Sequence, residues 1–377
     1  MSAWPGKYVI GLTGNIATGK SVVRKMLEHL GAYGIDADSL GHRAIAKGAP
    51  GYLPVLQMFG QWILGTDQQI DRVKLAQVVF ADPAAMQKLE MIVHPLVSQA
   101  LDILIRRSKH SVVIVEAIKL FESGLAEKCD AAWATYAPQE LQLARLMQKR
   151  KMSEADAKRR IVSQPAQEQK KASAHVVIRN AGSFEDTWIQ VNNAWQNVFP
   201  SAEVEEDQTA EVVAGEVSVK RARPGDAEEI AALITKLSNN QRQVTRNDIM
   251  AAFGEKAFLL LRVDRQALGV VGWKVENLVA RTDDVFVDSS VAFAEALGAM
   301  MAEVESASKE LQCEISLLFL PIDFQKYNED FQSLGYQQRT VKSLGVRAWE
   351  EAAQESLLPD SLMLFKQLRQ DRVLRPV

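Results

Sequence analysis

The eight residues Gly14-Asn15-Ile16-Ala17-Thr18-Gly19-Lys20-Ser21 constrain this chain more than any other feature. They fit the pattern G-x-x-x-x-G-K-[ST] and follow a short apolar run, Tyr8-Val9-Ile10-Gly11-Leu12-Thr13, that reads as a strand. After them Val22, Val23, Met26 and Leu30 recur at helical spacing, and Gly31 stops the helix. Strand, glycine loop and helix in that order open a parallel α/β domain. In such a loop the backbone N–H groups and the positive end of the helix surround phosphate oxygens. Lys20 is placed to reach the β- and γ-phosphates, and the Ser21 hydroxyl to ligate Mg²⁺. The loop predicts binding of a nucleoside triphosphate.

Later runs agree. Val112-Val113-Ile114-Val115 is a continuous β-branched stretch, as a strand buried on both faces requires. Residues 131–136 and 176–178 predict further strands, with helices over 72–79, 84–92, 95–106 and 155–161. Composition then shifts: 201–216 carries Glu203, Glu205, Glu206, Asp207, Glu211 and Glu216 without an aromatic, and reads as a solvated acidic linker. Beyond it the pattern predicts a strand at 217–221, a helix over 227–237, and a hairpin of 257–263 with 269–273 turning near Arg265-Gln266. A helix over 293–311 and a strand at 314–320 follow. A length of 377 residues suits this division into a first domain at 1–200, a linker at 201–216 and a second domain at 217–377.

The acceptor of the phosphate is suggested by Ile35-Asp36-Ala37-Asp38, two carboxylates at the carboxyl end of a predicted strand, where open α/β sheets hold their ligands. A carboxylate there can take the proton of an attacking hydroxyl or help hold a metal. Arg43, in the helical segment that follows, could hold an acceptor phosphate.

With these residues in place the sequence resembles the dephospho-coenzyme A kinase family over residues 8–199. The resemblance runs through Gly48-Ala49-Pro50-Gly51, Phe59-Gly60, Ile70-Asp71-Arg72-Val73-Lys74-Leu75 and Val79-Phe80-Ala81-Asp82-Pro83. It continues through Leu89-Glu90-Met91-Ile92-Val93-His94-Pro95, Leu120-Phe121-Glu122-Ser123-Gly124 and Arg145-Leu146-Met147-Gln148. Ile161-Val162-Ser163-Gln164 and Val176-Val177-Ile178-Arg179-Asn180-Ala181-Gly182 close the set. It implies an α/β fold: a P-loop NTPase parallel sheet flanked by helices with a helical lid. It also implies ATP and dephospho-coenzyme A as substrates, Mg²⁺ with the ATP, and phosphorylation of a ribose 3′-hydroxyl. Asp38 is then the general base with Asp36 beside it, and Lys20, Arg145 and Lys149 assist the transfer. Gly14 to Val22 (Asn15, Ile16, Ala17, Thr18, Gly19, Lys20 and Ser21 between them) and Asn180 bind ATP, Ser21 holds the metal, and Arg43, Arg72 and His94 belong to the acceptor side. His94-Pro95 has a packed turn as its plainer reading. Lys149 and Arg150 stand where the family pattern leads one to expect arginine and an acidic residue, Lys119 where an apolar residue is usual, and His175 where an acidic one is common. Lysine keeps the charge but loses bidentate geometry, and either Lys149 or Arg150 could be the lid cation.

Residues 217–345 resemble, more faintly, the Gcn5-related N-acetyltransferase (GNAT) family, which implies a second α/β, acetyltransferase-like domain with a C-terminal helical extension. The resemblance rests on Val219-Lys220-Arg221-Ala222-Arg223-Pro224-Gly225-Asp226, the predicted hairpin, and Phe331-Gln332-Ser333-Leu334-Gly335-Tyr336. That family grips pyrophosphate with a glycine loop. Here the equivalent stretch, Val287-Asp288-Ser289-Ser290-Val291-Ala292-Phe293, has no glycine and adds a carboxylate that repels phosphate. Phe331 takes a position often held by a catalytic tyrosine, and Tyr327 is out of register. The domain is expected to be degenerate, which leaves open a structural, regulatory or protein-binding role. A bifunctional kinase–acyltransferase and a non-catalytic nucleotide or coenzyme A sensor are the alternatives. A net charge of −3 gives no drive toward nucleic acid or an anionic membrane, and no run has the length of a membrane span. Cys129 and Cys313, far apart and without metal-ligand spacing, fit a reducing compartment. The expectation is a cytoplasmic protein.

Overall fold

The computed structural model describes residues 3–200, 217–264 and 266–370. The acidic stretch 201–216 and Arg265 of the predicted turn lie outside the described residues. The first unit runs β1 (Tyr8–Gly14), α1 (Lys20–His29), β2 (Tyr33–Asp36), α2 (Ala37–Ala44), α3 (Tyr52–Phe59), α4 (Arg72–Ala81), α5 (Pro83–Arg107) and β3 (Val112–Glu116). It continues with β4 (Ala131–Tyr136), α6 (Gln139–Arg150), α7 (Glu154–Val162), α8 (Gln167–Ser173), β5 (Val176–Arg179) and α9 (Phe184–Val198). Its five strands form one sheet in the order β2-β3-β1-β4-β5, and every neighbouring pair is parallel. Alternation along β1 feeds two layers. Val9 packs with Tyr33, Ile35, Leu101 and Leu104 on one face, while Ile10 and Leu12 pack with Val23, Leu27, Trp133 and Trp195 on the other. Helices cover both faces, so all five strand ends point their carboxyl termini to one edge.

Two predicted helices, 84–92 and 95–106, are one. α5 passes through Pro95, whose missing N–H costs one helical hydrogen bond, and His94 sits on an exposed part of this helix rather than in a turn.

The second unit runs β6 (Val217–Arg221), α10 (Ala227–Leu237), α11 (Arg246–Ala252), β7 (Ala257–Val263), β8 (Gln266–Glu276), β9 (Val279–Val287), α12 (Phe293–Glu310) and β10 (Ile315–Pro321). α13 (Asn328–Ser333), β11 (Gln337–Gln338), α14 (Arg347–Ser356) and β12 (Ser361–Gln367) complete it. Its seven strands lie in the order β11-β12-β10-β9-β8-β7-β6. Among the described residues only β9 and β10 of this sheet pair in parallel, and that pairing ends at Thr282 and Leu318. The C-terminal extension expected to be helical holds one helix, α14, and one strand, β12, among its described residues. α14 covers Phe319, Met363 and Phe365, and β12 enters the sheet between β10 and β11.

Candidate active site

The predicted ATP-side residues other than Lys149 gather at the carboxyl edge of the parallel sheet, because each contributing segment leaves the end of one of its strands. The loop after β1 turns at Gly14 and Gly19, both with positive φ. A Cβ on Gly19 would lie 1.7 Å from Asn180 Nδ2, so glycine is required there on two counts. Asn180, just after β5, donates to Thr18 O at 3.0 Å, and Thr18 Oγ1 meets Thr135 Oγ1 of β4 at 2.7 Å. The loop is thus pinned from the two strands beside it. Lys20 is buried and folds back over the loop, with Nζ 3.0 Å from Gly14 O. Burial depresses its ammonium pKa, and the nearby Glu116 and Asp38 carboxylates oppose that shift.

Glu116 is the residue that the sequence reading missed. It ends β3, accepts from Ser21 Oγ at 3.0 Å, and accepts from Arg24 Nε at 2.8 Å. Glu28 holds the other side of Arg24 at 2.6 Å, and these two carboxylates raise the guanidinium pKa despite its burial. An acidic residue closing an apolar strand was the available signal. Two residues on, Ile118 N donates to Asp38 Oδ2 at 3.1 Å, while Ile118 O accepts from Thr13 Oγ1 at 3.1 Å and from Lys170 Nζ. A single short segment after β3 therefore registers Ser21, the phosphate loop and Asp38 against one another.

Asp36 and Asp38 play different parts. Asp36 is the N-cap of α2, accepting from Ser39 N at 3.0 Å and Ser39 Oγ at 2.7 Å. Asp38 stands on the first turn, open to solvent on one side. Desolvation on its other side, and then the Asp36 charge, push its carboxyl pKa up to about 6, against the pull of the Ile118 N–H and Lys20.

The lid helices α6 and α7 close on the loop from above. Arg145 donates to Ala17 O and Asn180 O, both at 3.1 Å. Gln164 accepts from Ile16 N at 2.7 Å, and Asn15 donates to Pro165 O at 2.8 Å. Val22 turns into the apolar layer between α1 and α9.

Four predicted residues are not brought into this group. Arg43 was expected to hold an acceptor phosphate. Its guanidinium is instead buried against the second unit, donating to Asn277 O and pairing with Glu314. Arg72 pairs with Glu351 at 3.2 Å, and Lys149 with Glu255 at 3.2 Å, both at the surface. His94 lies exposed on α5. Next to Arg43, the imidazole of His42 senses Arg72 and Asp36, and desolvation followed by the Arg72 charge makes it harder to protonate.

The residues present suit a magnesium–nucleotide ligand. Ser21 Oγ with the Glu116 carboxylate is an all-oxygen pair of the kind Mg²⁺ takes. Among the described residues no group of three or more His, Cys, Asp or Glu side chains is placed to hold a metal unaided. A cation here would be shared with phosphate oxygens.

The dephospho-coenzyme A kinase family model matches residues 8–186. The dephospho-coenzyme A kinase of Geobacter sulfurreducens is 37% identical over 195 residues, which cover 51% of this chain and 99% of that one. The Geobacter metallireducens enzyme is 41% identical over 191 residues, covering 50% and 95%. Among solved structures, the Campylobacter jejuni dephospho-coenzyme A kinase shares 30% identity over 51% of this chain and 97% of its own, at a TM-score of 0.38. A GNAT-family acetyltransferase from Staphylococcus aureus aligns with 41% of this chain and 100% of its own, at 14% identity and a TM-score of 0.33. A match that spans nearly all of a kinase relative leads to one conclusion: the chain belongs to the dephospho-coenzyme A kinase family.

Proposed function

We propose that this chain transfers the γ-phosphoryl group of ATP to the ribose 3′-hydroxyl of dephospho-coenzyme A, giving coenzyme A and ADP. The observation that carries the reading is the shared scaffold after β3, which ties Ser21 to Glu116 and Asp38 to Ile118 at the mouth of the phosphate loop. The loop N–H groups and Lys20 bind the β- and γ-phosphates, and Lys20 exchanges its loop carbonyls for phosphate oxygens when they arrive. Ser21 and Glu116 would hold Mg²⁺, which neutralises charge on the phosphate oxygens when bound. Asp38, with its pKa raised to about 6, is ionised at neutral pH yet basic enough to take the hydroxyl proton. Arg145 and Asn180 hold the lid and the β5 loop against the nucleotide side. Phosphoryl transfer needs this positioning more than covalent help from the protein.

The second unit is read as having lost acyl transfer. At the entry to α12 the Asp288 carboxylate is tied to Lys236 at 2.8 Å and to Ser290 N at 3.0 Å. A pyrophosphate there would meet negative charge. Phe331 is buried, and Tyr327 stacks on Phe293 with ring centroids 3.8 Å apart.

The test is the purified chain with ATP, Mg²⁺ and dephospho-coenzyme A, followed by mass spectrometry of the products. Coenzyme A formation supports the reading. ATP consumption without coenzyme A overturns it.

A further inference from the structure

The connection between β8 and β9 has two residues, Asn277 and Leu278, both with positive φ. That is the backbone of a tight hairpin turn whose favoured sequence is Asn-Gly, and leucine at the second position is strained. Hairpin formation does not call for the leucine, and its surroundings account for it. The side chain of Leu278 packs into the kinase core layer that contains Tyr33, Ile35, Leu40 and Leu104. The turn and the end of β8 that leads into it present carbonyls to two kinase helices. Val275 O accepts from Lys25 of α1 at 3.2 Å, and Asn277 O accepts from Arg43 of α2. Behind Arg43 stands Glu314, itself buried and holding Trp349 Nε1 at 2.9 Å.

α2 begins at the residue after Asp36, carries Asp38 on its first turn and ends beyond Arg43. Its start is fixed within the kinase domain through Ser39 and Ile118. Toward its far end, both terminal guanidinium nitrogens of Arg43 are held by the other domain.

We propose that the β8–β9 turn is a wedge seated in the kinase domain, and that Leu278 and Glu314 are positioning residues which, through Arg43, set the pitch of α2 and so the placement of Asp38 for phosphoryl transfer. The second domain then serves the first in cis, by shape and charge rather than by chemistry of its own. The proposal rests on the kinase reading above.

The decisive variant is Leu278→Gly. It gives the turn its preferred Asn-Gly sequence, so the hairpin and its carbonyls persist while the apolar plug is removed. The expected result is a fall of about tenfold in kcat with KM for ATP within about twofold of wild type, since misplacing a reacting group by about 1 Å can cost far more. The acid limb of the pH–kcat profile should also move below its wild-type position. Asp36 stays beside Asp38 at the start of α2, while Lys20, Glu116 and Lys170 face it from α1, β3 and α8; tilting α2 admits water to Asp38, and relief of its desolvation, the largest cause of its raised pKa, outweighs the weaker pull of the two lysines. Glu314→Gln keeps the shape but offers one acceptor oxygen where Arg43 and Trp349 bond to two; it should shift both readouts in the same direction and serves if the glycine variant does not fold. Arg246→Ala removes an exposed inter-domain pair with Glu185 at 3.3 Å and should change neither. If the wild-type chain makes coenzyme A and both positioning variants match it in kcat and acid limb, the wedge is refuted and the kinase reading stands. If the wild-type chain makes none, the kinase reading falls and the wedge falls with it.

Discussion

Asp38→Asn should make the protein more stable at neutral pH while nearly abolishing turnover. The wild-type carboxyl has its pKa raised from 3.8 to about 6 in the fold. A group whose folded pKa is raised contributes stability that is fully present below about 3.8 and is lost as pH rises through about 6. The full shift corresponds to about 3 kcal/mol against the ionised form, at 1.36 kcal/mol per tenfold. Asp38 is open on one side, and solvent screening reduces this to about 1 kcal/mol. Asparagine keeps the shape and can still accept from Ile118 N, yet carries no charge to desolvate. The variant should therefore melt about 2–4 °C above wild type at pH 8, with the gap closing by pH 4. Loss of a general base lowers kcat by about 10²–10⁴-fold. Paired thermal melts at the two pH values, with coenzyme A formation at pH 8, decide the matter. A variant that is less stable at pH 8, shows a pH-independent gap, or turns over within tenfold of wild type refutes the reasoning.

Lys20→Ala should fold and yet lose ATP-dependent turnover, because the ammonium bonds only to loop carbonyls among the described contacts and its removal leaves a backbone that other strands still pin. Retained coenzyme A formation would contradict this. Glu116→Gln should raise the Mg²⁺ concentration needed for half-maximal rate, and should cost on the order of 3 kcal/mol in chemical denaturation, because it removes one charge of the buried Arg24 pair. Chelating Mg²⁺ should stop the wild-type reaction, with readdition restoring it. Arg145→Ala frees Ala17 O and Asn180 O and should raise KM for ATP more than it lowers kcat, as measured by initial rates.

The phosphate loop was legible because its spacing encodes backbone geometry that few other sequences satisfy: Gly19 has to be glycine, and Lys20 and Ser21 follow from it. Asp38 was legible because a carboxylate past a strand end stands where open sheets hold ligands. Glu116 is silent in the sequence because a residue that ends a buried β-branched run gains its meaning only from a partner, here 95 positions earlier. Arg43 misled for the same reason. Its type and place suited a phosphate, and nothing local announced Glu314 or Asn277 O, which lie more than 200 positions away in the chain. In the second unit β9 was missed because Arg281, Asp283 and Asp284 break the apolar pattern. Their charges are paired inside the fold, Arg281 with Glu276 and Glu355, and Asp284 with Lys256 and Arg242. α5 was split at Pro95 by a local rule that the packing of Ala100, Leu101 and Leu104 overrides.

The position of β12 inside the second sheet has a consequence for synthesis. Its antiparallel partner β10, Ile315–Pro321, is built of Ser316 among Leu317, Leu318, Phe319 and Leu320, and every residue from 315 to 320 is buried in the finished fold. Until Ser361–Gln367 has been made, that strand has an open side. About forty residues separate the two, so at roughly 5–20 residues per second the nascent chain carries an apolar, unpaired edge for roughly 2–8 s. Such an edge is a template for pairing with another chain. A premature stop anywhere between them would make the exposure permanent, and the intact kinase domain upstream would be dragged into whatever aggregate formed.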